Sequence, residues 1–294
     1  MSRVADLRAA VAAVDRSRAA LYAVLFAMVA FYLAPLESGL ATSIKTEAGF
    51  RATTPFAPPP LGEFTLAAWQ VAFDRLSQGL INSLLMAIPA TVLSALLGSL
   101  SAYGLTNLDW RGQTGVLVLF VAGVFLPYQS VLVPLRQFWS AVDLPSLIPL
   151  GFVGSYEGLI TLSLTHAAYG IPICTVLFRS YYATLDEEMI EAARLDGASA
   201  ATIYRRIVLP LSVPIFAVTL IYQFTQVWND LLFAIVLVTD PSNQVVTVAL
   251  NQLQGSFVNQ YNLQMAGAFV AALPTLVVYV LFGEQFAKGV AGES

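Results

Sequence analysis

The side chains best suited to chemistry in this 294-residue chain are few, and none is arranged as a catalytic or metal-binding set. The single cysteine, Cys174, and the single histidine, His166, have no partner at the spacings that zinc sites or nucleophilic sites use. No Gly-rich phosphate loop occurs either. We therefore predict no catalytic residue, no metal site and no cofactor bound by this chain.

Polar side chains occur instead inside long apolar segments. Thr219, Gln223, Gln226 and Asp230 are spaced so that they share one face of a helix. Such groups are costly in lipid and often face a water-filled path, where amides and carboxylates bind sugar hydroxyls and aromatic rings pack on sugar faces. The alternative is hydrogen bonding between helices that only holds a bundle together. We predict these path residues: Asn82, Gln223, Gln226, Trp228, Asn229 and Asp230.

His166 lies in the middle of another apolar segment, close to Pro172. A proton relay needs a chain of titratable partners. The neighbouring sequence offers none, so we predict a packed, hydrogen-bonded histidine.

A charged island, residues 184–210, separates two uncharged runs that are each long enough to cross a bilayer. Thr184 and Glu187 have the spacing of a helix capping box, Gly197 suits a helix end, and Ser199 suits the start of a second helix. The pattern predicts a helix–turn–helix elbow at the membrane surface. Its small residues, Ala192 and Ala193, would allow close approach of another protein. They are flanked by charged or turn-forming residues: Glu191, Arg194, Asp196 and Gly197.

Composition identifies a membrane protein. The chain is 57% hydrophobic and 11% charged, against about 25% charged for soluble domains, and its mean hydropathy is +0.73. The net charge of −4 and the lack of a basic tract exclude a nucleic-acid partner. Hydropathy predicts six spans, at about Ala19–Leu36, Leu80–Leu105, Gly112–Leu135, Gly158–Phe178, Ser212–Val238 and Ala266–Gly283.

We divide the chain into an N-terminal part, residues 1–75, with the first span and an extracytoplasmic stretch, and a core domain, residues 76–294. Six spans place both termini on one side, and that side carries all but four of the 14 Lys and Arg residues. The positive-inside rule therefore predicts that the termini and the elbow are cytoplasmic.

The elbow also carries a family resemblance. Glu191-Ala192-Ala193, Gly197 and the later Leu209-Pro210 resemble the EAA loop of ABC-importer permeases. The segments Gln223–Leu237, Gln244–Ser256 and Tyr261–Phe286 look like a permease subunit of the maltose-type carbohydrate importers, most similar to the glucose/mannose-type subunits. The tail, Phe286–Ser294, is short and ends acidic, and so departs from the Gly-rich basic ending usual in that family.

The resemblance implies an all-α, six-span, type I importer permease fold with cytoplasmic coupling helices, in a bacterial or archaeal plasma membrane. It implies three kinds of partner besides membrane lipid: a second permease subunit, two ATPase subunits that bind ATP and Mg, and an external sugar-binding protein. The expected substrate is a mono- or small oligosaccharide. Two alternatives remain: an importer of the same architecture for a polyol or other neutral solute, and a channel or carrier that works without ATPase.

Overall fold

Helices supply the regular structure of the computed structural model, which describes residues 16–256 and 260–291. No β-strand occurs in these ranges, only one isolated bridge between Lys45 and Phe64. Most of the N-terminal basic segment and the last three residues of the tail lie outside the described residues.

The helices are numbered here in chain order. They are α1 (Arg16–Ser43), α2 (Glu47–Ala52), α3 (Ala67–Thr106), α4 (Gln113–Val124), α5 (Tyr128–Ala141), α6 (Leu144–Leu147), α7 (Glu157–Tyr182), α8 (Glu187–Leu195), α9 (Ala200–Ile203), α10 (Leu209–Leu211), α11 (Val213–Trp228), α12 (Leu232–Leu237), α13 (Val246–Ser256) and α14 (Tyr261–Ala291). A π-helical turn, Tyr204–Val208, connects α9 to α10, and a 3₁₀ turn, Pro241–Asn243, precedes α13.

Four of these helices, α1, α3, α7 and α14, are long and apolar enough to cross a membrane. Two further candidates within the described residues are bent pairs. Helices α4 and α5 meet at 102°, and the stretch Ala200–Leu211 meets α11 at 76°. The count reaches the predicted six spans if each bent pair is one span.

The bends are where the sequence expectations and the structure differ. The third span was expected within Gly112–Leu135, with a kink or break at Pro127; α4 does end at Val124 and α5 begins after Pro127, whose missing N–H favours a break, but α5 continues to Ala141. The fifth was expected as one helix over Ser212–Val238, but α11 ends at Trp228. By contrast, Pro89 and Pro172 lie inside continuous helices.

The chain divides into two compact units, of which the first is Met1–Phe73 with Ser256–Phe269. In it Lys45 is fully buried, and its ammonium donates to the Thr54 carbonyl oxygen at 3.0 Å. The Trp69 indole donates to Ser43 Oγ at 3.1 Å. The apolar window of α1, in contrast, has no buried residue, so lipid or another chain must cover it.

The second unit is Asp74–Gly255 with Val270–Ser294. The division expected after Arg75 stays a prediction, and the sequence did not anticipate that Ser256–Phe269 groups with the N-terminal part. Within the second unit, glycines let the helices approach closely. A Cβ at Gly98 of α3 would clash with Cys174 of α7, and small residues at such crossings are the usual basis of helix packing in membranes.

Candidate functional site

The elbow predicted at residues 184–210 forms two helical segments joined by a tight turn. The first segment, α8, is capped by Asp186, whose carboxylate accepts a hydrogen bond from the Glu188 N–H at 2.9 Å. The predicted capping box is wrong, because the Thr184 hydroxyl donates to the Tyr181 carbonyl instead. Asp186 is two residues further along, at the N-cap position, where its carboxylate can reach the free N–H groups of the first turn.

The turn and the second segment follow the prediction more closely. Gly197 has φ +79° just after α8, a left-handed conformation that favours glycine, so its predicted role as a helix end is confirmed. The Ser199 hydroxyl accepts from the Thr202 N–H at 3.3 Å and caps α9, also as predicted. The π-helical turn that follows, Tyr204–Val208, was not predicted.

The two alanines of the elbow differ in exposure. Ala192 is exposed, whereas Ala193 is half-buried and packs against the chain's own core. Ile190 anchors the inner face of α8 and is 3% exposed. On the outer face, Leu195 is 89% exposed. This apolar side chain is accessible to a partner, and the sequence analysis did not single it out.

The charged residues of the elbow also separate. Glu191 and Asp196 are exposed and have no ion pair among the described residues. Arg194 turns back and donates to the carbonyl oxygen of Asn107, just after α3. This bond ties the elbow to the end of a span and leaves fewer guanidinium N–H groups for a partner.

The polar stripe of the fifth span does not form one open face. Thr219 is fully buried, and Gln223 is 4% exposed and donates to Ser94 Oγ at 3.3 Å. Gln226 is exposed and lines a small cleft. Asp230 lies beyond the end of α11, where its carboxylate accepts from the Phe233 N–H at 3.1 Å and caps α12. Helical spacing therefore grouped residues that the structure separates at the helix break.

The other three predicted path residues also differ from one another. Trp228 is 2% exposed, and its indole donates to the Ala271 carbonyl oxygen at 3.0 Å. Asn229 is exposed. Asn82 is 1% exposed, and its amide donates to the carbonyl oxygens of Ser242 and Gln244, both at 2.8 Å. In this conformation Asn82 and Trp228 hold helices and loops together, and their place in a path stays a prediction.

The expectation that His166 has no titratable neighbour is wrong. Its Nε2 lies 3.4 Å from Asp230 Oδ2, and both side chains are largely buried. The two residues are 64 positions apart in sequence, and Asp230 lies just beyond the end of α11. Aromatic rings surround the pair: Phe233 is 5.4 Å from His166 between ring centroids, and Tyr128 stacks on Tyr169 at 4.6 Å.

This cluster adjoins the small cleft that is lined by Gln226. Amide, imidazole and phenol groups at one place can bind hydroxyls, and the rings offer flat apolar faces. Among the described residues no group of three His, Cys, Asp or Glu side chains could hold a metal ion. The arrangement suits binding and passage of a neutral polar solute.

Comparison with known proteins identifies the family. Residues 64–287 match the family described as "Binding-protein-dependent transport system inner membrane component". The chain belongs to this family. It is a permease component of an ABC importer, and the resemblance found in the sequence is confirmed.

Named relatives agree. The permease is 48% identical to the xylose/arabinose import permease protein XacI of Haloferax volcanii over 98% of this chain and 97% of that protein. It is 29% identical to the glucose import system permease protein GlcU of Saccharolobus solfataricus over 92% and 93%. It also shares its fold with a chain of a bacterial ABC transporter that imports the polysaccharide alginate, with TM-score 0.67, 18% identity and coverage of 92% and 97%. The predicted type I importer fold is therefore confirmed.

The elbow of the permease is fastened to its spans by three buried hydroxyls. Ser99 Oγ of α3 lies 2.6 Å from the Tyr182 hydroxyl of α7 and 2.8 Å from the Tyr204 hydroxyl in the π-helical turn. We call these three residues the hydroxyl junction. Tyr103 adds a further tie, donating to the Ala200 carbonyl oxygen at 3.0 Å. Movement of the elbow must therefore strain these bonds or carry the two spans with it.

The hydroxyl junction escaped the sequence analysis. Ser99 lies 83 positions before Tyr182 and 105 before Tyr204, and neither serine nor tyrosine is unusual at a helix packing surface. The only local signal is the pair of adjacent tyrosines at the end of α7, Tyr181 and Tyr182. The Tyr181 hydroxyl donates to the Leu211 carbonyl oxygen at 2.8 Å, so both tyrosines hold the elbow's second segment.

Proposed function

We propose that this permease takes up a neutral mono- or small oligosaccharide by alternating access, with the elbow receiving the movement of an ATPase. The observation that carries the proposal is the arrangement of exposed and hydrogen-bonded residues on α8 and in the rest of the elbow. The outer face of α8 presents exposed Ala192 and Leu195 to a partner, while Arg194 ties α8 to the end of α3. The hydroxyl junction ties the π-helical turn of the same elbow to α3 and α7. A force applied at α8 would reach both spans.

The assembly that this function requires has a second permease subunit, two ATPase subunits and an external binding protein. The family description names a binding protein, and a structural neighbour was solved with an oligosaccharide-bound periplasmic protein. Exposed apolar residues along α1, between Arg18 and Leu36, offer a surface for lipid or for the second permease. ATP and Mg would be bound by the ATPase subunits.

The orientation that fits this assembly has both termini and the elbow in the cytoplasm. It rests on the distribution of Lys and Arg between the two sides of the membrane. The elbow can then meet the cytoplasmic ATPase, and the loop between α5 and α7 can meet the external binding protein.

A neutral sugar is the substrate class that the path supports. The groups around the cleft are amides, phenols and one histidine–carboxylate pair, without an excess of one charge. Amides and hydroxyls can donate and accept toward sugar hydroxyls. The names of the relatives, for xylose/arabinose and for glucose, support the same class.

The experiment is reconstitution of the permease with its partner permease, ATPase and binding protein in proteoliposomes. We expect accumulation of at least one labelled sugar among xylose, arabinose, glucose and maltose only when ATP is on the elbow side. Flux through the chain alone, without ATPase, would instead support a channel or carrier. ATP-dependent accumulation of a polyol such as glycerol or sorbitol, and of none of the sugars, would overturn the substrate class.

A further inference from the structure

A second cavity lies away from the small cleft, at the ends of α5, α7 and α12 that face outward in the proposed orientation. Its volume is about 290 Å³. We call it the mouth cavity. Its polar lining includes Arg136, Trp139, Glu157, Thr161, Asp240 and Asn243. All of these residues belong to the second compact unit.

Several polar groups of the mouth cavity are not used by the fold. Arg136 donates through Nη1 to the Val236 carbonyl oxygen at 2.6 Å, which leaves its other N–H groups for a ligand. The Glu157 carboxylate is half-buried and makes no hydrogen bond within the described residues. Asn243 is 2% exposed, and its Oδ1 is buried with no hydrogen-bond partner in the described part of the chain. An unpaired buried acceptor is costly and calls for a donor.

The other members of the lining are held in place. The Asp240 carboxylate accepts from the Ser242 N–H at 2.8 Å, a bond that holds the carboxylate in place and lowers the pKa of Asp240. The Trp139 indole donates to Thr165 Oγ1 at 2.8 Å, which fixes the orientation of its ring. The cavity therefore combines fixed donors, fixed acceptors and one rigid aromatic ring.

These groups define the chemistry of the occupant. Two carboxylates outnumber one guanidinium, which disfavours an anion. The described residues place no third acidic, His or Cys side chain to complete a metal site. A sugar hydroxyl both donates and accepts, so it can satisfy Glu157 and Arg136 together, and the C–H face of a sugar ring can pack on Trp139.

Size separates the mouth cavity from the small cleft beside His166. Small-molecule sites start at roughly 300 Å³, which the mouth cavity nearly reaches. The cleft offers about 40 Å³, little more than the roughly 30 Å³ share of one water molecule. Of these two sites, the mouth cavity is the one large enough for a sugar ring in this conformation. Thr161 and His166 lie five residues apart on α7, about 7.5 Å at 1.5 Å per residue.

We propose that the mouth cavity is an entry site that binds one neutral sugar ring on this subunit before the sugar reaches the cleft. The proposal rests on the proposed function as a sugar importer. It adds a site on this chain that does not depend on the binding protein. The competing occupant is a basic side chain of the binding protein, attracted by Glu157 and Asp240.

The test is thiol protection in the assembled complex, held in lipid nanodiscs without binding protein. Ser140→Cys places an exposed thiol in the lining, and the buried native Cys174 should contribute little background. Ser146→Cys, exposed but outside the lining, is the matched control. The probes are xylose, glucose and maltose, with glucuronate as the anionic comparison.

We expect a transported sugar at three times its dissociation constant to slow labelling of the Ser140→Cys variant about fourfold by mass action. It should leave the Ser146→Cys variant unchanged, and glucuronate should protect neither. Adding Glu157→Gln to the Ser140→Cys variant should raise the sugar concentration that gives half-maximal protection at least threefold. Asp74→Asn, which changes an exposed carboxylate elsewhere, should not raise it.

Two outcomes would overturn the entry site. One is no protection by any sugar in a complex that still accumulates sugar with its binding protein, a result that leaves the proposed function intact. The other is protection by the binding protein alone, without sugar. A complex that accumulates no sugar at all would instead contradict the proposed function.

Discussion

The hydroxyl junction makes a quantitative prediction about how the elbow is held. Tyr204→Phe removes one of its two hydrogen bonds, and Ser99→Ala removes both. A buried hydrogen bond contributes about 0.5–1.5 kcal/mol, and bonds between membrane helices average about 0.6 kcal/mol. We therefore expect Tyr204→Phe to cost about 0.6 kcal/mol of unfolding free energy and Ser99→Ala about 1.2 kcal/mol.

The double variant decides whether the bonds themselves are responsible. Once Ser99 is alanine, Tyr204→Phe has no bond left to remove, so the double variant should be no less stable than Ser99→Ala alone. Equilibrium unfolding of the purified permease in mixed micelles measures the three free energies. Tyr156→Phe is the control, since this exposed hydroxyl makes no hydrogen bond within the described residues.

Transport provides a second measurement of the same junction. If the junction passes movement from the elbow to α3 and α7, loosening it should raise the number of ATP molecules hydrolysed per sugar accumulated. In the unfolding measurement, additive losses of unfolding free energy in the double variant, within about 0.3–0.5 kcal/mol, would show that the two hydroxyls do not interact. An unchanged ratio of ATP to sugar in Ser99→Ala would refute the coupling role even if stability falls.

Three further predictions concern the elbow, the path and the orientation. Ala192→Trp, on the exposed face of α8, should reduce co-purification of the ATPase at least tenfold without lowering the melting temperature of the permease; full recovery would contradict docking there. Gln226→Leu should lower uptake in fully assembled complexes, whereas poor assembly with normal uptake per complex would assign the amide to helix packing. In intact cells an impermeant thiol reagent should label Ser146→Cys but not Ala201→Cys, with buried Cys174 adding little background, and the reverse pattern would invert the orientation.

Hydropathy and capping chemistry predicted the features that depend on local sequence. The long spans, Gly197 at the end of α8 and Ser199 at the start of α9 all follow from residues within a few positions of one another. The break after Trp228 was missed although its signal is also local: Asn229 and Asp230 follow Trp228 directly, and the Asp230 carboxylate accepts from the Phe233 N–H three residues later.

Contacts over long sequence distances account for the rest of what sequence reasoning missed. Asn82 bonds to carbonyl oxygens about 160 positions away, and His166 meets Asp230 across a helix break. Polarity at a given position cannot distinguish such a bond from a group that lines a path. Only the structure shows that Gln226 is exposed while Gln223, one turn earlier, is bonded to another helix.

The 76° bend near Ser212 has a mechanical consequence. A displacement along the axis of Ala200–Leu211 has only about a quarter of its length along α11, since the cosine of 76° is about 0.24. Most of the displacement is therefore perpendicular to the axis of α11. A perpendicular displacement can move the membrane-embedded helix sideways without moving its polar ends into hydrocarbon, where unpaired backbone groups cost several kcal/mol each. A displacement of the elbow along this axis would therefore move α11 sideways more than along its own axis.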